Sequence, residues 1–342
     1  MSALVSVIIL NWNGGVHVQS CLDSLTGQDY NNLEVIVVDN GSSDGSVEMI
    51  RARYPGVQLI ENHANLGFAA GNNVGIRASC GDYVVILNND AELDGRAVSA
   101  MRRAIDKDRR YGACASKIYL KFERDLLDAA GIVVCPDGLS IGRGRLENGE
   151  CYNREEEVFF GSGCCLMARR EMLEDVKMGD EYFDESFFMY ADDTDLGWRA
   201  RLRGWKTVYA PDAKVYHLHS ASSESYSPLK AFLVERNRIW LQVKYFPATV
   251  ICRGQLFTAV RYFFQAYGAL AGRGASGAFS KEHSRGELVK ILFRAWGSAL
   301  KGLPAVLEKR KIIQKRRTIG PEEMSALLKM YGISASEIAL KG

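Results

Sequence analysis

The sequence predicts an α/β fold in which a mixed, mainly parallel β-sheet is flanked by helices and followed by a helical C-terminal extension. Runs of Val, Ile and Leu alternate with helical stretches through the first half of the 342 residues. Such near-continuous apolar runs are typical of parallel strands that are covered on both faces. The last third is rich in aromatic and basic residues with helical periodicity, which predicts the extension.

Four strands are expected in the first half at residues 5–10, 33–39, 57–62 and 82–90, with helices at about 18–26, 46–53 and 69–79. In a parallel sheet the ligand crevice lies at the carboxyl ends of the strands. All four strands end in Asn or Asp, which favours a ligand site over unrelated turns, although both residues also suit turns. The residues at these strand ends are Asn11, Asn13, Asp39, Asn40, Asn62, Asn65 and Asp90.

The region between about residues 112 and 225 is expected to be mixed. Residues 161–173 predict a strand of small residues that passes into a helix, and residues 206–222 predict two strands separated by Pro211. Asn72 and Asn73 lie in the third predicted helix and are expected to face solvent.

The charge pattern divides the chain into two parts. From Lys230 onward there are 20 Lys and Arg against 7 Asp and Glu, a net of +13, whereas the first 229 residues have a net charge of −11. We therefore expect a first domain at residues 1–228, with halves of about 1–110 and 111–228, and a basic helical region at residues 229–342.

Several features bear on where the protein works. The longest stretch without Asp, Glu, Lys or Arg, residues 1–22, turns polar from Asn11 onward, and no 18-residue stretch is both apolar and uncharged, so no membrane-spanning helix is expected. The N-terminal segment MSALVSVIIL predicts a first strand rather than a signal peptide. The eight cysteines show no CxxC spacing, which favours buried free thiols over a disulfide framework or a zinc site. A cytoplasmic location is therefore expected.

The segment VVILNNDAEL leads an apolar strand directly into Asn88, Asn89 and Asp90. A surface turn explains this segment when it is considered alone. Alternatively, Asp90 binds Mg²⁺ or Mn²⁺, because a hard divalent cation prefers one or two carboxylates together with substrate phosphates and water. His217, in KVYHLH, is a second candidate ligand and is favoured over His219, since a neutral imidazole can complete a site that begins with one carboxylate.

The segment YADDTDLGWR places Asp192, Asp193 and Asp195 within four residues. Crowded carboxylates repel one another, so their pKa values are expected to rise unless a cation or a donor offsets the charge. A carboxylate with a raised pKa suits general-base catalysis. The alternative is an acidic first turn of a solvated helix. Asp195 is expected to be structural and to pair with Arg199 one turn later.

Together these segments resemble the family 2 glycosyltransferases, in particular the bacterial subgroup that includes rhamnosyl- and galactofuranosyltransferases. Eight motifs occur in the family's order between about residues 4 and 247: SVIILNWN, VIVVDNGSSDGS, NLGFAAGNN, VVILNNDAEL, FGSGCCLMARREML, FDESFFMYADDTDLGWRARLRGW, APDAKVYHLHSAS and VERNRIWLQVKYFP. The resemblance implies a GT-A fold, a Rossmann-like sheet shared by a nucleotide-sugar half and an acceptor half, within a catalytic domain at residues 1–228.

The resemblance also implies roles for individual residues. Asp90 is the last residue of a degenerate DxD motif and would bind the cation, and His217 matches a His that some members add to the metal shell. Asp193 matches the catalytic base, and Asp192, which stands where many relatives carry Glu, remains an alternative base. Nucleotide-sugar contacts are expected from Asn11, Asp39, Asn65, Asn88 and Asn89.

The function implied by the resemblance is inverting transfer of rhamnose or a similar hexose. The donor would be a dTDP- or UDP-sugar, and the acceptor a glycan or polyprenyl-linked glycan in cell-surface polysaccharide synthesis. One alternative is a non-catalytic nucleotide-sugar- or glycan-binding protein, although a binder has little use for the crowded acids. Another is a sugar-phosphate nucleotidyltransferase, which needs a basic glycine-rich loop that NWNGGVHVQ lacks.

The C-terminal region has the composition of an interfacial surface. A helix is expected at residues 229–246, and beyond it basic and aromatic residues recur together. They are Arg253, Arg261, Tyr262, Phe263, Phe264, Lys290, Phe293, Arg294, Trp296, Lys309–Lys311 and Lys315–Arg317. Attachment to an anionic membrane surface is expected, with packed helices or a homo-oligomer contact as alternatives. No nucleic-acid-binding motif is present, so no nucleic-acid partner is expected.

Overall fold

A computed structural model describes residues 2–218 and 227–340. The strands are β1 Val5–Asn11, β2 Leu33–Asp39, β3 Gln58–Glu61, β4 Tyr83–Asn88, β5 Ala91–Leu93, β6 Tyr111–Leu120, β7 Leu127–Ala129, β8 Ile132–Val134, β9 Ser140–Gly142, β10 Glu156–Val158, β11 Cys165–Arg169 and β12 Lys206–His217. The helices are α1 Gly15–Thr26, α2 Ser46–Arg53, α3 Gly67–Ala78, α4 Ala97–Ile105, α5 Arg170–Val176, α6 Asp192–Leu202, α7 Pro228–Tyr245, α8 Ala248–Ala271, α9 Gly274–Glu282, α10 Arg285–Arg316, α11 Pro321–Met330 and α12 Ala335–Leu340.

The central sheet is mixed and mostly parallel, as the sequence predicts. Its strand order is β10-β12-β6-β11-β4-β1-β2-β3. β4, β1, β2 and β3 run parallel, β11 is antiparallel to both β4 and β6, and β12 runs parallel to β6. The chain reverses its direction of travel across the sheet at β1, which has β2 on one side and β4 on the other. In open α/β sheets the ligand crevice lies at such a reversal, at the carboxyl ends of the strands.

Glycines let α3 approach the sheet closely, which explains why this helix forms despite its composition. α3 packs against β1 and β2. A Cβ atom at Gly71 would lie 2.3 Å from the side chain of Leu10, and one at Gly75 would lie 2.3 Å from that of Ile8. Both contacts are too short for a carbon pair, so only glycine permits this spacing. The position of α3 sets that of the loop preceding it, which contributes to the candidate site.

Two expectations from the sequence are wrong. The segment around Pro211 forms one strand, β12, rather than two: pairing with β6 passes from Ala210 to Lys214 across a bulge. Because the bulge leaves Pro211 out of the ladder, its missing N–H is not needed. Asn72 and Asn73 are buried rather than solvent-facing. The part of the predicted strand pair beyond residue 218, including His219, lies outside the described residues.

The side chain of Asn73 holds a distant segment against α3. Its Oδ1 accepts hydrogen bonds from the backbone N–H groups of Tyr182 (3.1 Å) and Phe183 (2.8 Å), and its Nδ2 donates to the Phe183 carbonyl (2.8 Å). A buried amide that satisfies three backbone groups is costly to replace. The contact fixes the approach of the chain to α6, which begins with the acidic cluster.

The chain forms two compact units, Met1–Ile132 with Gly142–Ser222, and Val133–Ile141 with Ser223–Gly342. The chain leaves the first unit in β8 and returns to it in β9, so the turn of this hairpin belongs with the C-terminal helices. No charge or hydropathy pattern in the sequence indicates that residues 133–141 belong to the second unit. Within the described residues, no helix is long and apolar enough to span a membrane.

The second unit is built on the packing of α7 against α10. Arg310 of α10 donates to the carbonyls of Val243 (2.6 Å) and Phe246 (3.0 Å) at the C-terminal end of α7. A guanidinium at this position satisfies carbonyls that have no helical partner and complements the negative end of the helix dipole. Trp240 of α7 donates to the Ala299 carbonyl of α10 (3.1 Å), which fixes the register of the pair.

A buried ionic network links the hairpin turn to α7 and α8. Arg261 donates to Asp137 (2.8 Å) and Arg238 donates to Glu235 (2.8 Å), and all four side chains are almost fully buried. The two cations balance the two carboxylates, and Trp296 donates a further hydrogen bond to Glu235 (3.2 Å). The expectation that Arg261 belongs to an exposed basic surface is therefore wrong.

Arg261→Met is expected to lower the free energy of unfolding by about 3–5 kcal/mol, because it leaves two buried carboxylates with one cation between them. Urea denaturation followed by circular dichroism measures this loss. Arg253→Met, at an exposed position of the same helix, is the matched control and should change stability by less than about 0.5 kcal/mol. Equal denaturation midpoints for the two variants would contradict a stabilising network.

Candidate active site

The carboxyl ends of β1 and β2 are joined by buried side chains. Asn11 donates through Nδ2 to Oδ1 of Asp39 (2.9 Å). The other oxygen of Asp39 accepts from the backbone N–H groups of Gly41 and Ser42, each at 2.9 Å. Asp39 therefore shapes the loop that follows β2, and both of its oxygens are engaged there. The two residues expected at the nucleoside lie together, at the edge of the sheet where the crevice is expected.

The end of β4 reaches the same cluster through Asn89. Its Nδ2 donates to Oδ1 of Asn11 (3.1 Å). A Cβ atom at Gly14 would lie 2.2 Å from this Asn11 oxygen and 2.5 Å from Asn89 Nδ2, so only glycine permits the pair to form beneath the start of α1. Asn65 is exposed, and its Oδ1 accepts from Nδ2 of Asn40 (3.4 Å), the residue after Asp39, and from the N–H of Gly67 (2.9 Å) at the start of α3.

Asp90 and His217 are adjacent and almost fully buried. His217 Nε2 lies 3.2 Å from Asp90 Oδ1, and its Nδ1 lies 2.7 Å from Oδ2 of Asp128. A carboxylate only accepts, so Nδ1 must carry a proton and donate to Asp128. Burial opposes the charged imidazolium, but Cys164 and the hydrogen bonds to Asp128 and Asp90 raise the pKa of His217 well above its ordinary value. The hydrogen bond to Asp128 holds the ring with Nε2 directed at Asp90, and a cation that binds Nε2 displaces the proton from it.

Asp128 is the site residue that the sequence analysis missed. It lies on β7, and it also accepts a hydrogen bond from Arg145. A His that binds a metal through one nitrogen commonly donates from the other to a carboxylate, which fixes the ring orientation and raises its basicity as a ligand. Nothing in the sequence near LLDAAG distinguishes this Asp from other surface acids, because its partners lie 17 and 89 residues away.

The pair Asp90–His217 fits a divalent cation that is completed by a substrate. One carboxylate oxygen and one imidazole nitrogen lie side by side, and Asn88 Nδ2 lies 3.5 Å from the same His217 nitrogen. Among the described residues, no group of three or more His, Cys, Asp or Glu side chains is placed to hold a metal. Two protein ligands suit a cation whose remaining ligands are phosphate oxygens and water.

The acidic cluster opens α6, and its members differ in environment. Asp192 is almost fully buried, and its Oδ1 has no hydrogen-bond partner among the residues that the structure describes. Burial and the neighbouring charge of Asp193 raise the pKa of Asp192 well above its ordinary value. Asp193 is half-buried, with Oδ2 accepting from the N–H of Gly163 (3.0 Å) and Oδ1 from that of Thr194 (2.7 Å). Burial also raises the pKa of Asp193, while these hydrogen bonds oppose the rise.

Asp195 has the structural role that the sequence predicts. It pairs with Arg199 one turn later at 3.0 Å, and both side chains are buried. Arg199 also donates to the carbonyls of Val176 (2.8 Å) and Tyr182 (2.6 Å), so the pair anchors α6 to the preceding segment.

The loop before α6 has an unusual backbone conformation. Phe188, Tyr190 and Ala191 have φ values of 67°, 67° and 66°, a region that side-chain-bearing residues rarely adopt. The Phe188 carbonyl accepts from the N–H of Phe68 (2.6 Å) at the start of α3. Strain of this kind concentrates where a backbone must be held for function. Here the strained loop is hydrogen-bonded to the start of α3 and leads directly into the acidic cluster of α6.

The stretch Gly163–Cys164 connects the acidic cluster to the cation pair. The N–H of Gly163 donates to Asp193, and the carbonyl of the next residue, Cys164, accepts from the N–H of Asn88 (2.9 Å). The Cys164 side chain also interacts with His217. The structure thus brings Asp193, Asn88 and His217 to one short segment preceding β11. The sequence analysis recognised the motif containing Gly163 but assigned it no role.

Comparison with known proteins identifies the family. Residues 6–177 match the model of the family described as "Glycosyl transferase family 2". The chain belongs to this family. A relative is the N-acetylglucosaminyl-diphospho-decaprenol L-rhamnosyltransferase of Mycobacterium tuberculosis, which is 29% identical over 287 residues, covering 70% of this chain and 87% of that protein. The chain is therefore a glycosyltransferase, and neither a non-catalytic binding protein nor a nucleotidyltransferase is supported.

Solved structures of glycosyltransferases share the fold of this one. The S. aureus TarS 1–349 structure aligns with a TM-score of 0.53 and 16% identity, over 90% of this chain and 91% of that chain. The structure of GalNAc-T7 with UDP, GalNAc and Mn²⁺ aligns with a TM-score of 0.58 and 13% identity, over 72% of this chain and 48% of that chain. The GT-A fold expected from the sequence is confirmed.

Asp128→Asn is expected to weaken Mn²⁺ binding to the glycosyltransferase about 10–100-fold, because the carboxylate that orients His217 is lost. Electron paramagnetic resonance titration of Mn²⁺ in the presence of UDP measures this without any turnover. Asp125→Asn, an exposed acid three residues earlier, is the matched control and should bind Mn²⁺ as the wild type does. Unchanged Mn²⁺ affinity in both variants would refute the orienting role of Asp128.

Asp192 should leave a signature in the pH dependence of stability. Between the ordinary Asp pKa of about 3.9 and the raised value, the folded state binds more protons than the unfolded state. Wild-type stability therefore falls as pH rises through this window. Asp192→Asn removes the titration, so the variant's Tm minus the wild-type Tm should increase with pH above about 4. Calorimetry across a pH series measures this, and a constant or decreasing difference would argue against a raised pKa.

Proposed function

We propose that the chain is an inverting, cation-dependent glycosyltransferase whose catalytic domain lies at residues 1–228. It moves rhamnose or a similar hexose from a dTDP- or UDP-sugar to a saccharide or polyprenyl-linked saccharide acceptor in cell-surface polysaccharide synthesis. About 1–110 form the nucleotide-sugar half and 111–228 the acceptor half. All eight cysteines are free, which supports a cytoplasmic location.

One observation carries the proposal: Gly163–Cys164 contacts both Asp193 and the residues around the cation pair. Gly163 donates a hydrogen bond to Asp193, the candidate base. The next residue, Cys164, accepts one from Asn88 at the carboxyl end of β4, close to the Asp90–His217 pair. A single displacement at a sugar needs two groups with different roles. One stabilises the negative charge on the leaving group, and the other accepts the proton of the attacking hydroxyl.

The donor half of the site is assigned to the side chains at the ends of β1, β2 and β4. Asn11 and Asp39 shape the nucleoside pocket, with Asn65 at its margin, and Asn88 and Asn89 lie towards the diphosphate and sugar. Asp90 and His217 hold Mg²⁺ or Mn²⁺, which when bound supplies positive charge that stabilises the leaving nucleoside diphosphate. Asp128 keeps the His217 ring in place.

Asp193 is the better candidate for the base. Asp192 and Asp193 repel each other when both are ionised, so the pair favours keeping one proton at neutral pH. Asp192 is the more buried of the two and its pKa is the more strongly raised, so it retains that proton. Asp193 is half-buried and is oriented by the N–H groups of Gly163 and Thr194. It accepts the proton of the acceptor hydroxyl as that oxygen attacks the anomeric carbon from the face opposite the diphosphate.

The relatives support the choice of substrates. The name of the mycobacterial relative specifies rhamnosyl transfer to a polyprenyl-diphosphate-linked N-acetylglucosamine, and the chain covers 87% of it. The GalNAc-T7 structure contains UDP and Mn²⁺. A thermal-shift screen of UDP-, dTDP- and GDP-sugars with Mn²⁺ would select the nucleotide.

Asp193→Asn is expected to abolish sugar transfer, by a factor of about 100 or more, because an amide cannot accept the acceptor proton. Binding of the nucleoside diphosphate, measured by calorimetry with Mn²⁺, should stay close to that of the wild type. The neighbouring variant Asp192→Asn is the control and should retain transfer, since Asp192 is neutral in the proposed mechanism. Normal turnover by Asp193→Asn would remove Asp193 as the base, and loss of transfer only in Asp192→Asn would assign that role to Asp192.

A further inference from the structure

An apolar stripe runs along the solvent-facing side of α8. Its members repeat at intervals of four and three residues, which places them on one line of the helix surface. They are Leu256, Val260, Phe263, Tyr267 and Leu270. Phe263 is 69% exposed and Leu256 is 71% exposed, so the stripe is uncovered, while Gly254, Thr258 and Arg261 face the interior of the unit. From Leu256 to Leu270 the stripe extends about 21 Å.

A second stripe lies on α10, with members at intervals of four, three, four and seven residues. Its members are Val289, Phe293, Trp296, Leu300 and Leu307, all exposed. The two stripes approach each other where the ring of Trp296 lies 6.4 Å from that of Tyr262, the residue before Phe263. The second unit therefore presents two long apolar lines that meet at one point. Exposed apolar surface of this extent marks an interaction site.

The charges around the stripes are predominantly positive. On α8 the exposed side carries a single charged residue, Arg253, at its start. Among the α10 side chains that the structure describes, the exposed basic residues are Lys290, Arg294, Lys301, Lys311, Lys315 and Arg316. The acids of α10 are Glu287, which lies 3.4 Å from His283, and Glu308, which directly follows the stripe residue Leu307 and is paired with Lys311 at 2.7 Å. Lys290, Arg294 and Lys301 each directly follow a stripe residue, so the positive charges border the apolar line on α10.

We propose that this face of α8 and α10 lies on the surface of an anionic lipid bilayer, with the stripes in the acyl boundary and the bordering cations at the headgroups. Exposed aromatic and aliphatic residues flanked by Lys and Arg are the features that hold a helix in the membrane interface. Each cation near an anionic leaflet strengthens the attachment, and this contribution is screened by salt.

The charge pattern favours a bilayer over a second copy of the chain. A symmetric dimer brings the same patch of two molecules together. Lys290, Arg294 and Lys301 would then face the positive border of the partner, where the two acids of each α10 are outnumbered by six exposed cations and already have partners within their own chain. A bilayer containing anionic lipid supplies the opposite charge and accommodates the apolar stripes at the same time. This surface is separate from the transfer chemistry and does not depend on the proposed function.

The test is co-sedimentation of the full chain with vesicles of phosphatidylglycerol and phosphatidylcholine, compared with phosphatidylcholine alone, at low and high salt. The wild type should bind the anionic vesicles, and binding should weaken with salt. Lys290→Gln/Arg294→Gln/Lys301→Gln should bind about tenfold less tightly or weaker. The matched control is Arg53→Gln/Arg103→Gln/Arg109→Gln, which removes the same charge from exposed positions of the first unit and should bind normally.

The stripe is tested separately with Phe263→Gln/Leu270→Gln, which should lower vesicle binding at both salt concentrations, whereas Phe122→Gln, at an exposed position of the first unit, should not. Circular dichroism establishes that each variant is folded. Wild-type protein that ignores anionic vesicles, or equal binding by the two charge variants, would overturn the proposal. So would a wild-type dimer that becomes monomeric in Phe263→Gln/Leu270→Gln with vesicle binding unchanged. Each readout is binding or mass, so failure here is independent of whether Asp193 is the base.

Discussion

The candidate cation site depends on one buried imidazole held between two carboxylates. His217 lies between Asp90 and Asp128, and the hydrogen bond from Nδ1 to Asp128 decides that Nε2 faces Asp90. Without Asp128 the His217 ring would be able to rotate, and the carboxylate of Asp90 alone would bind a cation weakly. Since β12 pairs with β6 and β6 with β7, the sheet itself brings His217 to Asp128. Backbone pairing thereby sets the position of the buried His217 ring beside Asp128.

The sequence predicted those parts of the site that are encoded locally. Asn11, Asp39 and Asp90 each follow an apolar strand, and in a parallel sheet strand ends converge. Asp128 and Gly163 could not be found in this way, because their importance comes from partners distant in the chain. Asn73 was misjudged for a related reason: on helical periodicity it looks like a surface amide, yet the segment at Tyr182 and Phe183 covers it.

The C-terminal helices illustrate a second limit of sequence analysis. Arg261 and Lys290 belong to the same basic and aromatic pattern, but Arg261 points inward and pairs with Asp137, whereas Lys290 is exposed. Composition cannot separate a cation that neutralises a buried acid from one that borders an exposed stripe. The difference becomes visible only when the partners are known, and here one partner comes from the turn of the hairpin between β8 and β9.

The central claim is that Asp90 and His217 together bind the cation that contacts the donor diphosphate. Electron spin-echo spectroscopy of Mn²⁺ in the presence of UDP tests it most directly, because it detects nitrogen and phosphorus nuclei bound to the metal. The account predicts a histidine nitrogen coupling in the wild type that disappears in His217→Gln while the phosphorus coupling remains. A nitrogen coupling that survives in His217→Gln, or its absence from the wild type, would contradict the claim.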